Sequence, residues 1–185
     1  MVVAVKKDDK ITVGITVCDS LVDMTEKDLS LMENIPFWKV KGTKDCYVFA
    51  EDLTYAVDLL RYNDHIFKNI TDGNSIVVDV IPKMKELLSN YSRVIDGKRW
   101  GSQLLILKGN KMFIVGNYFV VSEADDFVGL GYDTYLLGGL SEMREEDPRE
   151  NILFAIRNLN RMKSRNLFPV MMFDNQTKKK KFYYQ

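Results

Sequence analysis

The sequence predicts an α+β protein of four layers, two mainly antiparallel sheets face to face with helices on the outside. Three observations lead there. Strand-like and helix-like segments come in blocks: strands, two helices, strands, two helices, strands. Successive strands are joined by short turns, which is how antiparallel neighbours are connected. No internal repeat or low-complexity linker interrupts the 185 residues, a length expected of one domain from end to end.

The elements follow in order. Val2 to Val5 and Ile11 to Val17 are β-branched runs around the charged turn Lys6-Lys7-Asp8-Asp9-Lys10, a hairpin by composition. Residues 19–36 are polar and irregular, with Asp19-Ser20 and Asn34-Ile35-Pro36 as breakers. Phe37 to Val40 and Cys46 to Ala50 are strands around Gly42-Thr43-Lys44-Asp45. After Asp52, the residues Ala56, Leu59, Leu60, Phe67 and Ile70 recur at helical spacing, interrupted by Asn63. Val77 to Tyr91 carries a second helical stripe, favoured as a helix that is kinked, or begins, near Pro82, although Ile76 to Ile81 alone also has the composition of a strand. The period then changes. Gln103 to Lys108 and Lys111 to Val115 flank Gly109-Asn110, a hairpin turn pair, and Tyr118 to Val121 and Asp126 to Gly129 continue the sheet. A helix is expected over Tyr135 to Met143. Asp147-Pro148-Arg149-Glu150 places a cap, a first-turn proline and an acid ahead of a helix over Ile152 to Met162. Leu167 to Phe173 is a strand, and residues 174–185 are an edge strand or a mobile basic tail.

Composition narrows the function classes. The 26 basic and 26 acidic residues cancel, which removes the electrostatic footprint of a nucleic-acid binder. No stretch is long and apolar enough for a membrane span, and the start lacks the apolar core of a secretory peptide, so the cytoplasm is expected. Cys18 and Cys46 sit in strand-like runs as buried free thiols. One histidine, His65, and two separated cysteines make no zinc site, so no metal and no cofactor are expected. Glu123-Ala124-Asp125-Asp126 and Glu145-Glu146-Asp147 lack calcium-loop spacing and are assigned to a turn and a helix approach. Gly129-Leu130-Gly131 is too short for a nucleotide fingerprint.

Several segments together resemble the proteasome β-subunits and their HslV-type relatives, the proteasome-like N-terminal nucleophile (Ntn) hydrolases. They are Val3-Ala4-Val5 with Ile11-Thr12-Val13-Gly14, Trp38-Lys39-Val40, Tyr47-Val48-Phe49-Ala50 before a helix, and Val128-Gly129-Leu130-Gly131 before the Tyr135 to Met143 segment. The resemblance implies an attack on peptide bonds by the side chain and free amine of an N-terminal threonine. Here Met1 and Val2 stand at the strand start, and neither is a nucleophile. The lysine of the family is matched by Lys39; its supporting aspartate falls near Thr16, with Asp19 close by; its serine is matched by Leu130. The expectation is a vestigial site at Met1, Val2, Thr16, Lys39 and Leu130 with no catalytic residue, in a non-catalytic assembly or protein-binding scaffold. Such a scaffold self-associates or binds a protein partner. The resemblance makes Leu136, Leu137, Gly138, Gly139 and Leu140 the candidate subunit contact, since the paired glycines allow close approach. Two other readings stay open: a threonine-type peptidase or amidohydrolase uncovered by cleavage before Thr12, Thr16, Cys18 or Ser20, and a small monomeric interaction module.

Overall fold

The computed structural model describes residues 1–16, 35–51, 54–89, 100–131, 147–163 and 167–184. The expected helix over 135–143, with the contact residues Leu136 to Leu140, lies outside them, as do Cys18, Asp19 and Ser20. In chain order the elements are β1 (Val2–Lys7), β2 (Lys10–Thr16), β3 (Phe37–Lys39), β4 (Cys46–Ala50), α1 (Tyr55–Tyr62), α2 (Ile81–Ser89), β5 (Leu104–Lys108), β6 (Lys111–Val115), β7 (Val121–Ala124), β8 (Phe127–Leu130), α3 (Pro148–Lys163), β9 (Val170–Asp174) and β10 (Lys180–Tyr183). The chain divides into two compact units, Met1–Ile35 with Asp126–Gln185, and Pro36–Asp125.

The first unit is a fully antiparallel sheet in the order β10-β9-β2-β1-β8, with α3 packed on one face. The β1–β2 hairpin turns at Asp8-Asp9, where Asp8 takes φ 55°, a left-handed conformation that aspartate tolerates better than most residues. Val3, Val170 and Met172 point to the helix and meet Ile152, Leu153, Ile156 and Leu159 in one cluster. Gly14 allows this approach: a Cβ there would stand 2.7 Å from the Ile152 side chain and 3.3 Å from the Met172 sulfur. The helix starts where its sequence says it should. The Asp147 carboxylate accepts the Arg149 backbone N–H at 3.0 Å, and Pro148 fills a position that needs no donor. Val2, Ala4, Val13 and Ile15 point to the other face and are buried as well, so β1 and β2 form near-continuous apolar runs.

The second unit is the antiparallel sheet β3-β4-β5-β6-β7. Its core joins Trp38, Val48, Leu60, Phe67, Met84, Trp100, Ile106 and Phe113. Four expected bounds shift here and in the first unit, each for a local reason. The helix after Asp52 stops at Tyr62, because the Asn63 side chain donates to the Leu59 carbonyl at 2.9 Å and a short 3-10 turn, Asp64–Phe67, follows. The next helical stretch enters through the turn Gly73–Ser75 and a π segment, Ile76–Val80, directly before Pro82. A proline cannot donate to the preceding turn, and a wider turn absorbs that break. Residues 118–120 form a turn rather than a strand: Phe119 takes φ 62° and packs on Trp100, with ring centroids 6.3 Å apart. The last long strand begins at Val170, after Pro169, which has no N–H to give to a ladder.

Candidate functional site

Four of the five positions expected to form a vestigial site converge at one end of the first sheet. Val2 stands opposite Ile15 on one side and Leu130 on the other. The Met1 carbonyl accepts two hydrogen bonds from Thr16, from its backbone N–H at 3.1 Å and from its hydroxyl at 3.5 Å. Val2 and Leu130 are both 0% exposed, so both side chains are out of solvent. Met1 itself is half-buried beside the cluster that α3 covers. Thr16 spends its hydroxyl on tying the chain start to β2, and it carries no charge.

Lys39, the one position where the family residue type is retained, belongs to the second unit. It is exposed on the edge strand β3, opposite Tyr47. Phe37 and Tyr47 stack nearby at 6.1 Å between ring centroids. Burial, followed by the nearby Asp45 carboxylate, raises the Tyr47 hydroxyl above its ordinary value, so it stays neutral at physiological pH.

His65 is exposed in the 3-10 turn. Its neighbour Asp64 is buried and accepts the Lys41 backbone N–H at 2.8 Å, a structural bond between two loops. Burial pushes the Cys46 thiol up to about 12, against the partial pull of Lys108. It is a free thiol that donates weakly to the Phe67 carbonyl at 3.8 Å. Among the described residues no three His, Cys, Asp or Glu side chains are gathered to hold a metal ion. Among them, too, no helix is long and apolar enough to cross a membrane.

One surface recess had no place in the sequence reading. Lys7, Asp8, Asp9, Lys10, Asp147, Pro148 and Gln176 line it at the turn end of the hairpin. Two of its lining charges are paired within the fold. Arg149 grips the Asp147 carboxylate at 2.6 Å, and Lys10 pairs with Asp174 at 3.4 Å. The cap motif at Asp147 was legible in the sequence; that it meets the hairpin turn is tertiary information.

No family model matches the sequence, and no curated protein matches it either. Solved structures do. BPH from Thiobacillus denitrificans, in complex with epoxomicin, is similar at a TM-score of 0.69 and 17% identity, over 94% of this chain and 96% of that one. HslV from Trypanosoma brucei is similar at 0.60 and 11%, over 94% and 97%. Anbu (ancestral beta-subunit) from Yersinia bercovieri is similar at 0.61 and 12%, over 100% and 87%. The chain therefore has the proteasome β-subunit/HslV-like Ntn fold, an α+β architecture of two five-stranded antiparallel sheets with helices.

Proposed function

We propose that this chain is a proteasome-like protein without Ntn hydrolase activity that works as an assembly or protein-binding scaffold in the cytoplasm. One observation carries the reading: the strand start, where this chemistry needs a hydroxyl or thiol beside a free amine, holds a buried Val2 packed between Ile15 and a buried Leu130. An accessible, water-lined nucleophile has no room there. Processing offers no easy rescue. Thr12 and Thr16 lie in β2, and a cut before either one removes β1, which pairs with both β2 and β8. We read the whole chain as one domain, its first unit being built from two chain segments that flank the second. Self-association is the expected use of the scaffold, by analogy with subunits of this fold.

The test combines intact mass with covalent labelling by epoxomicin, the compound held in the Thiobacillus structure. The expected result is a chain beginning at residue 1 or 2 and no adduct. A stoichiometric epoxomicin adduct, or a chain beginning at Thr12, Thr16, Cys18 or Ser20, overturns the reading. A native mass measurement separates scaffold from monomeric module: a monomer overturns self-assembly while leaving the loss of chemistry intact.

A further inference from the structure

We propose that two copies of the chain pair two-fold through their β10 edges, antiparallel and centred on Phe182, so that Lys181 of each copy meets the Tyr183 ring of the other. The inference rests on the self-associating reading above and names the surface it uses. Among the described residues, β10 ends the first unit's sheet and has β9 as its one strand neighbour. The Asp174 backbone N–H donates to the Lys179 carbonyl at 3.2 Å, and Lys180 to Tyr183 continue the ladder opposite Phe173 to Val170. Hydrogen-bonded pairs alternate along an antiparallel ladder. Lys181 and Tyr183 therefore turn their backbone groups to β9, and Phe182 turns its N–H and C=O to the outer edge. Such groups are a template for a further strand.

The side chains choose the partner and the register. On β10 the exposed Lys180 and Lys181 precede the half-buried Phe182 and Tyr183. Lys181 and Tyr183 share a face, since side chains alternate along a strand. The Lys181 Nζ lies 5.1 Å from the centroid of the Tyr183 ring, so the strand already makes this cation–ring contact within itself. An antiparallel neighbour with its axis at Phe182 offers the same contact across strands. Lys181 then stands opposite the second copy's Tyr183, and Lys180 opposite its Tyr184, each cation against a ring that attracts it. The two copies of Lys180 are about 13 Å apart along the strands, past the reach of screened repulsion at physiological salt.

Neighbouring registers lose this match. An axis at Lys180 or Lys181 sets lysines against lysines, and like charges directly opposite destabilise. An axis at Tyr183 carries each Lys181 beyond the rings of the other copy. A parallel pairing in register opposes like to like along the whole strand. Lysines on an edge strand normally deter pairing; the rings that follow them here turn that deterrent into a choice of one register. A two-fold interface must be complementary to itself. A strand that is cationic in its first half and aromatic in its second meets that requirement when reversed against its own copy.

The experiment is sedimentation velocity over a concentration series on the full chain and on its Lys181→Gln, Lys181→Arg and Phe182→Pro variants. Far-UV circular dichroism checks that each variant folds. The wild type is expected to associate. Lys181→Gln removes two ring contacts per pair and should weaken association about tenfold, whereas Lys181→Arg, which also stacks on rings, should keep it. Phe182→Pro removes the N–H aimed across the edge while sparing the β9 ladder, and should leave the chain unassociated. Raising the salt should strengthen association, because it screens the two lysine runs from each other. Should the proline variant fail to fold, the two Lys181 variants carry the test, since that side chain is exposed. A Lys181→Gln variant that associates as well as the wild type, or better, shows lysines that merely deter contact and overturns the pairing. So does a folded Phe182→Pro variant that associates normally, or association that salt abolishes; each leaves self-association standing. A wild type that is monomeric at every concentration overturns self-association itself.

Discussion

Thr12 shows how a single group can be read in two ways. Its side chain is 0% exposed, and its hydroxyl has no hydrogen-bond partner among the described residues. A hydroxyl in that state resembles a waiting nucleophile, but it sits mid-strand with its backbone amine committed to a peptide bond. Desolvation without a partner is a stability defect. Thr12→Val, which keeps the shape, should stabilise the protein by about 0.5–1 kcal/mol, measured by urea denaturation. An unchanged or lower stability shows that the hydroxyl is satisfied. Cys46 belongs to the same scale. With burial holding its thiol up to about 12, little thiolate exists at neutral pH. Native Cys46 should alkylate at least about a hundredfold more slowly than in the unfolded chain, read by peptide mapping so that Cys18 is counted apart. Comparable rates sink the assignment.

Among the elements, the β1–β2 hairpin and α3 were the most legible in sequence, because period and punctuation agree. Gly109-Asn110 likewise marked its turn, with Gly109 at φ 62°. The stretch 118–120 misled, since Tyr118 to Val121 has strand composition; the packing of Phe119 on Trp100 won over propensity, and the strand begins only at Val121. The Gly14 contact is an element-scale feature that no periodicity reveals. Gly14→Ala should destabilise by about 1–3 kcal/mol, because the added methyl meets the Ile152 side chain in a packed interior. The same methyl in an Ile152→Ala background should be better tolerated, giving a coupling of about 1 kcal/mol or more in a double-mutant cycle. Strict additivity refutes the contact.

For the whole molecule, acid stability follows from two carboxylates. Asp147 is held below its ordinary value by its hydrogen bonds and ion pair with Arg149, against some opposing burial. At Asp174 burial pushes upward, yet the backbone N–H groups of Thr177 and Gln176 together with Lys10 prevail and lower it. Groups lowered by folding stabilise fully above the unfolded carboxyl value of about 4 and lose that contribution as pH falls through the folded one. Unfolding free energy should therefore be flat through neutral pH and decline below about pH 4. Asp174→Asn keeps an acceptor for the turn but drops the ion pair with Lys10. It should cost about 0.5–1 kcal/mol at neutral pH and flatten the acid decline. An unaltered acid slope in this variant refutes the role of Asp174.

The sequence by itself determined the fold class, the order of the described strands and helices, and the absence of a hydroxyl or thiol at the strand start. Those are properties of residue type and period, which local chain geometry fixes. Tertiary structure alone decided that Met1, Val2, Thr16 and Leu130 share one end of one sheet, with Val2 and Leu130 out of solvent. It also decided that Lys180, on one edge of that sheet, stands level with Val128 on the other. Register sets both arrangements. It arises from pairing between strands far apart in sequence, which no local pattern encodes.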